Sequence, residues 1–282
     1  MENTHSELAV QMKKQASKKN NVKYLNIILP PATTFMVFIL LWQYGTQFFQ
    51  IPGYLLPTPT DILEAARANW DNLKNAIIRS VSEALIGFVL STIVGIFGAI
   101  LMASSKLLER SLYPYAILLQ TIPIVAIAPI IVIWFGSGMN AIVIIAFTIG
   151  FFPMLSNTLI GLSSTDEGMI NLLKLYQASK WEILWKVRIP AALPYIIAGL
   201  KISCTLAIVG VIVGEYIAGI GGGDGGLGYA ITVASSRMET AYLFACGISA
   251  SILGIMFFLV VNLFSKFMLG SWHESEMKKQ GQ

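Results

Sequence analysis

Six long apolar runs dominate the pattern of the chain, at about 25–49, 79–103, 112–135, 139–162, 193–218 and 241–268. Each is long enough for an α-helix to cross the hydrocarbon core, which takes ~20 mainly apolar residues. The runs are continuous and lack the alternation of a membrane barrel strand. The pattern predicts an all-α polytopic protein of about six transmembrane helices. Pro123 and Pro129 predict a break or kink in the third span.

The polar stretch 51–78 separates the first two spans. Thr60 there is placed to cap a helix starting near Asp61, with Leu63, Ala66 and Trp70 on one apolar side. That helix is expected to lie along the outer surface. Between the fourth and fifth spans, residues 163–192 form a longer polar segment. Ser164 and Glu167 fit a capping box, followed by Met169, Leu172, Leu173 and Tyr176 at helical spacing. Ser179 and Glu182 fit a second box, behind which Trp181, Leu184 and Trp185 share a face. Two short helices follow, with a break at Gln177–Ala178 and a stop at Pro190, which lacks a donor and crowds the preceding turn. Their apolar faces suit either the membrane surface or a groove on a partner protein.

Charge sets the orientation. Fifteen of the nineteen Lys and Arg residues fall on one side, including Lys13, Lys14, Lys18, Lys19 and Lys23 near the amino terminus. Only Arg67, Lys74, Arg79 and Arg237 fall on the other. By the positive-inside bias both termini are cytoplasmic. The expected organisation is a cytoplasmic tail over 1–24, a transmembrane domain over 25–268 and a second tail over 269–282.

Composition agrees. Hydrophobic residues make up 55% of the 282, charged residues 12%, and mean hydropathy is +0.69; soluble domains carry roughly 25% charged residues. The surplus charge of +4 is dispersed, which argues against a nucleic-acid partner. Cys204 and Cys246 lie in apolar runs, and His5 and His273 lie in the tails without ligand partners, so no metal site is expected.

The segment from Asn171 to Pro190 resembles the cytoplasmic loop of binding-protein-dependent ABC import permeases. That pattern is Glu-Ala-Ala, three residues, Gly, nine residues, Ile, one residue, Leu-Pro. Val187, Ile189 and Pro190 match its end in register, whereas Asn171, Leu172 and Leu173 replace Glu-Ala-Ala and Gln177 replaces the glycine. Further pieces resemble the nitrate, sulfonate and taurine branch. They are Leu56-Pro57-Thr58-Pro59, Pro123 with Pro129 and Trp134-Phe135-Gly136, and Ala178-Ser179-Lys180-Trp181. After them come Pro190-Ala191-Ala192-Leu193-Pro194, Gly199-Leu200-Lys201 and Gly226-Leu227-Gly228-Tyr229.

The resemblance implies a permease subunit of the bacterial inner membrane, half of a pore completed by a second copy or a sister chain. Cytoplasmic ATP-binding subunits would dock on the loop through Ser164, Glu167, Leu173, Gln177, Ala178, Ser179, Trp181, Leu184, Val187, Ile189 and Pro190. An extracytoplasmic binding protein would deliver a small anion or polar organic solute: nitrate, a sulfonate or taurine, or a vitamin precursor such as riboflavin or a pyrimidine. The sequence has no phosphate-binding loop of its own, so ATP belongs to the partner and the chain is not expected to be an enzyme. The glycine cluster 221–226 lacks the Lys-Ser/Thr ending and reads as an outer turn.

Polar residues within the spans are candidates for the pathway: Gln120, Thr121, Ser203 and Glu215, beside the carbonyls that Pro123 and Pro129 would free. The same groups can instead knit helices together. Glu83 lies near the outer start of its span and reads as interfacial. A self-sufficient secondary transporter would call for internal repeats, and a membrane enzyme for a catalytic cluster; neither is evident.

Overall fold

The structure is a computed structural model that describes residues 29–218 and 225–269. The tails and the glycines at 221–223, with Asp224, lie outside the described residues, as do His5, His273 and the first five lysines. Helix α1 covers 29–48 within the first predicted span, whose beginning is also outside. Next come α2 (Pro59–Ala68), α3 (Trp70–Ala103), α4 (Lys106–Thr121), α5 (Ile124–Phe135) and α6 (Met139–Ser163). They are followed by α7 (Glu167–Leu175), α8 (Lys180–Ile183), a π turn at Leu184–Arg188, α9 (Ile189–Ala218), α10 (Leu227–Ser236) and α11 (Thr240–Leu269).

Among the described residues, four stretches are long and apolar enough to cross a membrane: α3, α6, the composite Lys180–Ala218 and α11. The pair α4–α5 makes a fifth if it counts as one span, bent by 98°. The bend lies at Ile122–Pro123, where Pro123 takes an extended ψ of 125° and opens α5. Pro129 sits inside α5 without breaking it.

Two compact units divide the chain, at Glu64–Ala65. In the first, Trp42 Nε1 donates to the Pro57 carbonyl at 3.1 Å, and Gln43 Oε1 accepts from Thr60 N at 3.2 Å. The cap of α2 is Thr58, not Thr60. Thr58 Oγ1 accepts from Asp61 N, and Asp61 Oδ2 accepts from Thr58 N. Pro59 thereby occupies the first helical position, where its missing donor costs nothing. Trp70 belongs not to α2 but to the start of α3, so the polar residues 70–78 extend the second span.

The second unit is built on α3, α6 and α9, which pack along their lengths. Small residues set their spacing. A Cβ on Gly210 of α9 would lie 2.7 Å from Ala146 Cα of α6, so the two backbones meet where only a hydrogen fits. Ser203 of the same helix donates to the Gly150 carbonyl at 2.6 Å. Helix α11 packs on α9 and α10, and its Phe257 meets Phe88 of α3 edge-on at 5.7 Å.

Pro190 does not end the helix it follows. The π turn widens the chain at Leu184–Arg188, and Ile189 N bonds back to the Leu184 carbonyl. That widening gives the Pro190 ring room that an α turn denies it. The helical path therefore runs unbroken from Lys180 to Ala218.

Candidate functional site

Two regions, one near each end of the composite helix, carry the unusual chemistry. The first is the loop. Helix α7 is capped two residues later than the sequence expectation. Ser164 is still bonded to Ile160 O and closes α6, while Asp166 is the cap, accepting from Met169 N at 3.0 Å. The second capping box forms in full. Ser179 Oγ accepts from Glu182 N at 3.2 Å, and Glu182 Oε2 accepts from Ser179 N at 2.9 Å.

Between the helices, Gln177 adopts φ +57°, the left-handed region that favours glycine. Gln177 N donates to Lys174 O and Ala178 N to Leu173 O, which closes α7 with the paired bonds of a Schellman turn. Glutamine thus performs the turn that the resembling pattern assigns to glycine.

Ile170 and Ile183 anchor the loop by burial. Leu172, Leu175, Tyr176, Trp181 and Trp185 are exposed, Trp181 at 67%. Glu167 and Ser179 are exposed as well, while Leu173, Ala178, Leu184, Val187, Ile189 and Pro190 are half-buried toward the bundle. Leu184 and Ile189 pack on a core cluster containing Met102 of α3, Ala116 of α4 and Leu159 of α6. Arg188 reaches α3, its Nη1 donating to the Ala103 carbonyl at 3.2 Å.

The second region is a buried polar clasp. Glu215, 1% exposed, accepts from Ser80 Oγ at 2.6 Å and from Gly228 N at 2.7 Å. Ser80 Oγ in turn accepts from Leu227 N at 2.9 Å. Helix α10 has no side-chain cap of its own, and α9 and α3 supply the acceptors for its first donors. A carboxylate at a helix amino terminus also meets the positive end of its dipole.

Glycine makes the approach possible. A Cβ on Gly226 would overlap the Glu215 carboxylate, and one on Gly228 would overlap the Ile212 carbonyl. Glu83 is fully buried beside Glu215, with Arg79 Nε 3.5 Å from its Oε1, rather than interfacial. Helix α3 begins nine residues earlier than the sequence suggests, which carries Glu83 into the packed part of the bundle.

The polar residues expected along a pathway fall in two groups. Gln120, Thr121 and Pro123 stand together at the exposed bend between α4 and α5, with Thr121 Oγ1 donating to Leu118 O. Pro129 is exposed one turn and a half further on. Ser203 and Glu215 are both buried in helix contacts of α9, twelve residues and therefore ~18 Å apart. Sequence reasoning missed Ser80, Arg188 and helix α10; the Gly-Leu-Gly spacing was the one local signal of the clasp.

A family described as "binding-protein-dependent transport system inner membrane component" matches residues 75–270. The riboflavin transport system permease of Chloroflexus aurantiacus is 30% identical over 86% of this chain and 89% of its own length. The formylaminopyrimidine transport permease of Halalkalibacterium halodurans is 30% identical over 88% of this chain and 97% of its own. The putative aliphatic sulfonates transport permease of Bacillus subtilis is 28% identical over 95% and 94%. In fold, a chain of the MetNI methionine ABC transporter in inward-facing conformations aligns with a TM-score of 0.57. It is 15% identical, over 71% of this chain and 95% of that one.

Proposed function

The chain belongs to the family of inner-membrane components of binding-protein-dependent transport systems, and from that membership we propose that it is the permease subunit of an ATP-driven importer whose motor docks on α7 and α8. The observation that carries the reading is the exposed aromatic and aliphatic set on these helices. Leu172, Leu175, Tyr176, Trp181 and Trp185 face away from the bundle, on elements rigidly capped at Asp166 and Ser179. An apolar helix face of this kind suits a groove on a soluble subunit. The charge bias puts it on the cytoplasmic side, where ATP is available.

The family description supports a membrane component that works with a binding protein, and the remaining partners are proposed to be an extracytoplasmic binding protein and a second permease copy or sister chain, in a bacterial inner membrane. The pathway is proposed to run past the exposed bend at Gln120, Thr121 and Pro123, where the helix is interrupted between α4 and α5. Its solute is proposed to be a small polar organic molecule or anion of the sort named for the relatives. ATP is bound and hydrolysed by the partner.

Trp181→Asp tests the docking. The variant is expected to insert normally, to lose co-purification of the ATP-binding subunits, and to lose uptake. Retention of the partner and of full uptake would remove the docking role. Riboflavin, a formylaminopyrimidine, taurine and nitrate, titrated against the cognate binding protein, identify the solute.

A further inference from the structure

We propose that Arg188 is the strut that ties the docking helices to the inner end of α3 and, through it, to the bent span α4–α5. The inference rests on the docking reading given above. Arg188 is the last residue of the π turn, and its guanidinium reaches across 85 residues of sequence to the Ala103 carbonyl. Ala103 is the final residue of α3, and only Ser104 and Ser105 separate it from α4. Ser105 caps α4, which runs directly to the bend at Pro123. One hydrogen bond therefore joins the docking unit to the turn from which the bent span departs.

Two further features mark this as a mechanical link rather than a simple stabiliser. The Arg188 Nε is buried without a hydrogen-bond partner. A buried donor left unmade costs stability, and an apolar side chain of similar length would avoid the cost. Ordinary packing does not call for arginine here.

The strut also stands on a joint. A π turn holds one residue more than an α turn, so its relaxation rotates one flank against the other by ~100° and shifts it ~1.5 Å along the axis. Leu184 and Ile189, at either edge of the joint, pack on the cluster that includes Met102 and Ala116. Motion of α8 thus bears on α3 and α4 through apolar contact, and Arg188 adds a directional bond to the Ala103 carbonyl.

The test uses the permease reconstituted in vesicles with its ATP-binding subunits. Thr121→Cys at the bend is the reporter, and its labelling by a membrane-impermeant thiosulfonate is timed with and without ATP plus vanadate. The native Cys204 and Cys246 are buried and stay silent. With Arg188 intact, the nucleotide is expected to change the labelling rate. In Arg188→Met and Arg188→Gln, ATPase co-purification, ATP hydrolysis and melting temperature should persist while that change shrinks about fivefold or more. Arg188→Lys, which keeps a donor, should restore part of it.

The strut is overturned if either folded variant keeps the full nucleotide-dependent change. It is equally overturned if the bend shows none with Arg188 present, or if the variants shed the ATPase and so mark Arg188 as a docking contact. Failure of the ATPase to co-purify before any change at Arg188 would instead remove the docking reading, and this proposal with it.

Discussion

The inner and outer ends of the composite helix Lys180–Ala218 solve opposite problems. At the inner end, short helices keep polar caps in the open and turn aromatic residues outward. At the outer end, a short helix surrenders its first donors to buried side chains, and Gly226 and Gly228 let backbone and carboxylate touch. The clasp is self-sufficient: removing it harms the permease itself. The proposed docking surface is incomplete: removing it is expected to harm only what sits on it. A surface awaiting a partner and a contact already made are told apart by where their apolar and polar atoms go.

Glu215→Ala should break the comparison hardest. It orphans the Ser80 hydroxyl and the Gly228 N–H in a buried site, at ~1–3 kcal/mol each. A large fall in the melting temperature of the purified permease is the expected result. An unchanged melting curve would mean that the clasp holds nothing.

Gly228→Ala comes next. Its methyl group meets the Ile212 carbonyl, and overpacking of this kind costs ~1–3 kcal/mol. Melting should fall by less than for Glu215→Ala, and spin-label distances should show α10 displaced from α9.

Gln177→Gly sharpens the contrast from the other side. Relief of the left-handed strain, partly offset by a freer unfolded chain, should stabilise the loop by roughly 0.5–1 kcal/mol. Slower amide exchange at position 177 and at Ala178 is the measure. Smallest in its effect on the permease alone is Trp181→Asp, at an exposed position where substitutions stay within ~0.5 kcal/mol. Its melting curve should match that of the native protein even as the partner is lost.

Much of the inner end was legible along the chain. The Ser179–Glu182 box is a local pattern, and its two hydrogen bonds need only three residues of spacing. The left-handed turn at Gln177 was legible as a position, because the surrounding pattern assigns glycine there. The first cap was misread, since Ser164 and Asp166 both satisfy a local rule. Only the true length of α6 decides that Ser164 is still held by Ile160. Pro190 misled for a related reason. A proline reads as a stop from its own chemistry, and nothing local announces the π turn that accommodates it.

The outer end was almost illegible. Ser80 and Glu215 are 135 residues apart, and each alone is an ordinary polar group near a span end. Glu83 looked interfacial because the polar residues 70–78 hid the true start of α3.

The order of apolar runs and the bias of Lys and Arg determined the all-helical, many-span architecture, because lipid demands that each span satisfy its own backbone. The short-range caps of the loop came from the same source. Tertiary structure alone decided which carboxylate is buried, which helix borrows its cap from a neighbour, and that Arg188 meets α3. Those contacts join positions far apart in sequence, and their energy exists only once α3, α6 and α9 have closed on one another.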